Sequence, residues 1–150
     1  MYDALSASTS LFIVASIIIY IFTCKSIYLV LGIGSLIAGL TAEFIKRYVT
    51  VGRPEFKRPR GAHACDALCA GGPAEHESGM PSAHASSTAF AATYIFLTCR
   101  KPYASLVAAA YWLAVCYARY KKRCHTPAQL VVGSLLGALL AWLATKLSPY

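Results

Sequence analysis

Polar and apolar positions separate into long uncharged runs and short charged blocks. No charge falls between Ala4 and Cys24, and half of the residues from Leu11 to Phe22 are β-branched. Ser26 to Ala42 is again uncharged, and Pro81 to Cys99 carries only His84, Tyr94 and Cys99 as ionisable groups. Pro102–Ala118 and Pro127–Thr145 complete the set. A helix crossing a bilayer takes about 20 residues, within roughly 17 to 25. Five spanning helices are therefore expected, near residues 4–24, 26–46, 82–99, 102–119 and 127–145. The expected fold is all-α, a multi-pass membrane helical bundle forming one domain over residues 1–150. One such run would suit the core of a soluble protein. Five in 150 residues leave too few polar side chains to coat a water-facing surface. Asp3 and the lack of a basic n-region speak against a cleaved signal peptide.

Small residues recur inside these runs, with Gly133 and Gly137 forming a Gly-x-x-x-Gly in the fifth. Such faces let helices approach closely in lipid, either within one chain or in a homodimer. The single long connection, residues 50–81, holds eight Gly or Pro between Gly52 and Gly79, with four basic and four acidic residues. That is loop chemistry, with a short helix expected around residues 65–70. Loops of this length are commonly functional.

Composition agrees: 57% of residues are hydrophobic and 13% charged, against roughly 25% charged in soluble domains. Disorder, a TIM barrel and a two-domain dehydrogenase are excluded by apolar content and length. The net charge of +8 flanks hydrophobic runs rather than tracking one exposed helix, so nucleic acid is not an expected partner.

Counting crossings brings the polar groups together. If the first helix starts on side A, the long loop lies on that side too, and Lys46, Arg53, His84, Arg119 and His125 collect there. Side A carries ten Lys or Arg and the opposite side four, Lys25, Arg100, Lys101 and Lys146. By the positive-inside rule, side A is expected to face the cytoplasm.

Three blocks on side A carry candidate chemistry. Lys46 and Arg53-Pro54 are separated by six residues; a helix continuing through them would project both cations to nearly one face. Pro81-Ser82-Ala83-His84 opens the third helix, and Arg119, five residues and His125 lead into the fifth. In this order the blocks resemble the type 2 phosphatidic acid phosphatase superfamily. The resemblance covers roughly residues 27–145, which look like the last four helices of that family's usual six. Three details depart from the common pattern: Ala83 stands where Gly is usual, Ala118 where Ser is, and Gln129 where Asp is. Gly79-Met80-Pro81-Ser82 with His84, and His125-Thr126-x-x-Gln129, are similar to the dolichyl and polyprenyl diphosphate phosphatase branch.

The resemblance implies metal-independent hydrolysis of a membrane lipid phosphate or polyprenyl diphosphate. His125 would be the nucleophile forming a phosphohistidine, and His84 the general acid and then base. Lys46, Arg53, Ser82, Ala83 and Arg119 would hold the phosphate, the start of the third helix adding free N–H groups. No cofactor is expected. Gln129 has two readings. Its carbonyl could orient the His125 ring, so that Gln129→Glu keeps activity; or Thr126-Pro127-Ala128-Gln129 is a capping box with Pro at the first helical position. The alternative functions are a phosphatidate-type phosphatase and a non-catalytic lipid-binding or scaffold protein that retains the fold. A metal reading of His63, Cys65, Cys69 and His76 is weak, because Cys-x3-Cys is looser than structural zinc spacing. Among the cysteines, Cys65, Cys69 or Cys124 forms a disulfide if side A faces an oxidising lumen and stays a thiol in the cytoplasm.

Overall fold

The computed structural model describes residues 1–66 and 71–147. Among the described residues the regular elements are all helical: α1 (Tyr2–Thr23), α2 (Ser26–Tyr48), α3 (Ala83–Thr98), α4 (Pro102–Lys121) and α5 (Pro127–Leu147), with a 3-10 turn at Pro54–Phe56. Pro102 and Pro127 stand at the first positions of α4 and α5, where their missing N–H costs nothing. Ser82 caps α3 by accepting the Ala85 N–H. Most of the short helix expected at 65–70 lies outside the described residues.

α3 is the hub, packed against α2, α4 and α5, while α1 flanks α2 and α4. Every residue from His84 to Ala91 is buried, and so is Tyr94. The small side chains of this stretch (Ala85, Ser86, Ser87, Ala89) allow three neighbours to approach. Against α5 the approach depends on the glycine pair. A Cβ on Gly133 would lie 2.5 Å from the Ser82 carbonyl oxygen, and one on Gly137 2.1 Å from that of Ser86. The Gly-x-x-x-Gly face thus packs against α3 within the chain. Leu31, Ala38, Phe90, Ala91, Tyr94 and Ala141 form the apolar centre.

Large apolar side chains point outward instead of inward, among them Leu11, Ile21, Leu40, Leu106, Val107 and Leu135. Such a belt is stable facing lipid tails rather than water. Three helices, α1, α2 and α5, are long and apolar enough to cross a membrane, consistent with a multi-pass membrane protein. At 16 residues, α3 is about 24 Å long at 1.5 Å per residue, shorter than a hydrocarbon core of about 30 Å.

The long connection is not shapeless. Residues 56–64 run antiparallel to 72–79, tied by Arg58 N–H to Glu77 O (3.1 Å), Gly79 N–H to Phe56 O (2.8 Å) and Ala74 N–H to Ala62 O (2.8 Å). This flattened loop sits over the ends of the helices. Lys122 at the end of α4 pairs with Asp3 at the start of α1 and donates to the Ala64 carbonyl at 3.1 Å. Thr50, just past α2, bonds Ser78 (2.6 Å) and the Met80 carbonyl (2.7 Å). The starts of α1 and α3, the ends of α2 and α4, and the loop therefore share one end of the bundle.

Candidate active site

At that end lies a cavity of about 470 Å³ lined by Lys46, Arg58, His84 and His125, together with Ile13, Leu36 and Leu40 from α1 and α2. Lys46 sits in the last turn of α2, buried, with its ammonium paired to Glu43 one turn earlier. Ala83 and His84, the first two residues of α3, both line the cavity. Ser82 does not; its hydroxyl is used as the helix cap and its N–H donates to the Gln129 carbonyl at 3.2 Å. Arg119, in the last turn of α4, is fully buried and donates through Nη2 to the Cys65 carbonyl.

His125 lies in the turn between α4 and α5, 2% exposed. Its Nδ1 is 2.9 Å from the Gly79 carbonyl oxygen. A carbonyl only accepts, so Nδ1 carries the proton and Nε2 holds the free lone pair. Burial pushes the imidazole well below its usual range, and the charges of Arg119, Arg58 and Lys46 push the same way. The ring is therefore neutral at pH 7, which is the form a nitrogen nucleophile requires. On another side His125 borders a recess of about 490 Å³ that also contains Arg60, Lys121 and Arg123.

Gln129, expected either to orient that ring or to cap α5, is engaged away from the ring. Its Oε1 accepts the Thr126 N–H at 3.1 Å while Thr126 Oγ1 accepts the Gln129 N–H at 3.3 Å, a reciprocal capping box. Its Nε2 donates to the Phe56 and Lys57 carbonyls at 3.2 and 2.9 Å. Gln129 thus staples the loop to the start of α5, and the ring-holding acceptor is Gly79 instead. A Cβ at Gly79 would lie 2.4 Å from Gln129 Oε1, so a side chain there would displace the Gln129 amide from its cap.

Arg53 is not brought to the cavity. α2 stops at Tyr48 and Gly52 takes φ +76°, so the helical register linking position 46 to position 53 is broken. Arg53 is exposed, its guanidinium 6.0 Å from the centre of the Phe56 ring. The buried guanidinium in the cavity wall is Arg58, five residues on. Its Nη1 donates to the Cys124 carbonyl at 3.2 Å, and Nε lies 3.6 Å from the Glu77 carboxylate. Burial lowers the Arg58 pKa, with Glu77 opposing the shift. The sequence contains a signal for it, because Arg58-Pro59 repeats the Arg53-Pro54 dipeptide.

Cys65 and Cys124 are joined by a disulfide. Cys65 is therefore not available as a thiolate metal ligand, Cys69 lies outside the described residues, and no group of three His, Cys, Asp or Glu side chains suited to a metal occurs among the described residues.

A family model described as the PAP2 superfamily matches residues 26–150. No match was found among curated proteins or among solved structures.

Proposed function

This chain belongs to the PAP2 superfamily, and from that membership we propose that it hydrolyses a polyprenyl diphosphate or related lipid phosphate at the membrane interface through a phosphohistidine on His125. The observation that carries the reading is the dual lining of one cavity. Lys46, Arg58, His84 and His125 supply cations and imidazoles, with Glu43 and Glu77 beside the two cations, while Leu36, Leu40 and Ile13 supply an apolar wall. From Leu36 to Lys46 the wall follows α2 for about 15 Å at 1.5 Å per residue. A headgroup among the cations and a tail along the apolar stretch is the arrangement an amphipathic phosphate ester needs.

In this mechanism Nε2 of His125 attacks the terminal phosphorus while the Gly79 carbonyl holds Nδ1–H and steadies the imidazolium that forms. His84 protonates the departing oxygen, releasing the polyprenyl monophosphate or alcohol. It then accepts a proton from the water that cleaves the phosphohistidine, which returns His84 to the imidazolium it started as, His125 to its neutral form, and frees phosphate. Lys46 and the neighbouring guanidiniums neutralise the equatorial oxygens of the pentavalent phosphorus. Within the family, the diphosphate preference is supported by Gly79-Met80-Pro81-Ser82 with His84 and by His125-Thr126-x-x-Gln129. All five spans expected from the sequence belong to this proposal, with α3 and α4 crossing beside the three more apolar helices.

The test is phosphate release by purified protein in detergent and EDTA, offered polyprenyl diphosphate, polyprenyl monophosphate and phosphatidate side by side. Release fastest from the diphosphate and lost in His125→Ala is expected. Fastest release from phosphatidate would move the substrate assignment, and release that survives His125→Ala would remove the mechanism.

A further inference from the structure

The two buried guanidiniums near His125 are held by the two halves of one disulfide. Arg119, on α4, donates to the carbonyl of Cys65 in the loop; Arg58, in the loop, donates to the carbonyl of Cys124 at 3.2 Å in the α4–α5 turn. The bonds cross the same junction in opposite directions, and the Cys65–Cys124 linkage closes it. Both half-cystines are buried, with Ala62 and Ala74 packed around them. Cys124 directly precedes His125, and Cys65 lines the same cavity as His84, Arg58 and His125. The loop reaches this junction from 59 residues away in sequence.

We propose that Arg58 is a phosphate-holding side chain of this site and that the Cys65–Cys124 disulfide positions Arg58 and Arg119, making anion binding beside His125 depend on the oxidised state. The inference rests on reading the His125 cavity as a phosphate site. A guanidinium gives directional donors only while its plane is held, and each guanidinium here donates to a half-cystine carbonyl. Opening the disulfide frees the loop to move relative to the turn. The two carbonyl contacts, with Lys122 to the Ala64 carbonyl, then have to hold the junction without a covalent link, by hydrogen bonds of ordinary strength.

The chemistry balances as thiol–disulfide exchange. The two thiols of Cys65 and Cys124 pass two electrons and two protons to a partner disulfide, which leaves as two thiols. That acceptor is plentiful in oxidising compartments and scarce in the cytoplasm. An active face on the non-cytoplasmic side follows from the proposal, the reverse of the orientation read from basic residues alone.

The experiment uses the full chain in detergent and orthovanadate as the phosphate-like probe, with affinity measured calorimetrically before and after a phosphine reductant. The oxidised protein is expected to bind at least tenfold more tightly than the reduced one, with recovery on reoxidation by oxidised glutathione. Cys65→Ser/Cys124→Ser should bind weakly with or without reductant, whereas Cys24→Ser should behave as the wild type. Arg58→Gln, with the disulfide intact, should lose at least tenfold in affinity, and Arg58→Lys should recover part of it. This arm stands even if reduction unfolds the protein. Equal affinity in both redox states, wild-type affinity in Arg58→Gln, or no vanadate binding in either state overturns the proposal. Lipid phosphate release followed in parallel separates the two readings. Redox-dependent vanadate binding without any release keeps this inference and removes the hydrolase. Release indifferent to reductant and to Cys65→Ser/Cys124→Ser does the opposite.

Discussion

At the scale of single residues, the division of labour between Gly79 and Gln129 decides how His125 is presented. A neutral ring needs one acceptor, and the Gly79 carbonyl supplies it. Gln129 instead satisfies one cap N–H and two loop carbonyls. Gln129→Leu leaves the part-buried Thr126 N–H and Lys57 carbonyl without this partner, the Phe56 carbonyl keeping the Gly79 N–H, and should cost about 2–4 kcal/mol of stability, at roughly 1–3 kcal/mol per unsatisfied group. Gln129→Glu keeps the cap acceptor but turns a donor into a carboxylate facing two carbonyls. It should also be destabilised at neutral pH and recover as the carboxyl protonates, where an orienting role would leave it active. Thermal unfolding of both variants against pH checks this. The capping box was legible in Thr126-Pro127-Ala128-Gln129 because caps are local. The Gly79 contact was not, because a backbone carbonyl 46 positions away leaves no side-chain signature. Arg53 was singled out over Arg58 for a related reason: seven-residue spacing matters only while a helix persists, and Gly52 ends that register.

At the scale of elements, α3 is held by how closely α5 approaches it. Gly137→Val would press a branched side chain against the Ser86 carbonyl and the Phe90 N–H, which lie 2.1 and 2.9 Å from the position of a Cβ. Backbone cannot rotate away as a side chain can, so a loss of at least about 1–3 kcal/mol is expected. Ser82 and His84 ride on the displaced segment, so catalytic rate should fall with stability. Unfolding midpoints together with steady-state kinetics check this, and a variant that is stable but inactive would place the effect on α3 position alone. The all-helical, apolar character was readable from uncharged runs alone, and the α5 Gly-x-x-x-Gly from its spacing. What that spacing left open was the partner. Only the packing of α3 against Gly133 and Gly137 assigns the face to this chain. Likewise the 56–79 hairpin had no periodic pattern to betray it, since its pairing runs through the backbone of Gly- and Pro-rich sequence.

For the whole molecule, the site and the stability of the bundle are linked through buried charge. His125 is neutral when folded because its pKa is depressed by burial, whereas an unfolded imidazole titrates near about 6.5. Below that pH the unfolded chain binds the additional proton, so stability falls as pH drops through the window between the unfolded and folded values. It should be insensitive to this group above about pH 7.5. The slope for one proton is about 1.4 kcal/mol per pH unit, and His125→Gln should flatten the acid side of a pH series of unfolding midpoints. The helices and loop thus enclose basic groups offset in part by Glu43 and Glu77, and a neutral imidazole adds no further positive charge among them. The measurement that bears most directly on the central claim is trapping of the covalent intermediate. Protein mixed with a terminally 32P-labelled polyprenyl diphosphate would be quenched in alkali, which preserves phosphohistidine, and its peptides mapped by mass spectrometry. Label on His125, absent in His125→Ala and formed without metal, is the expected result. Turnover with no label at His125, or label on another residue, would contradict the account.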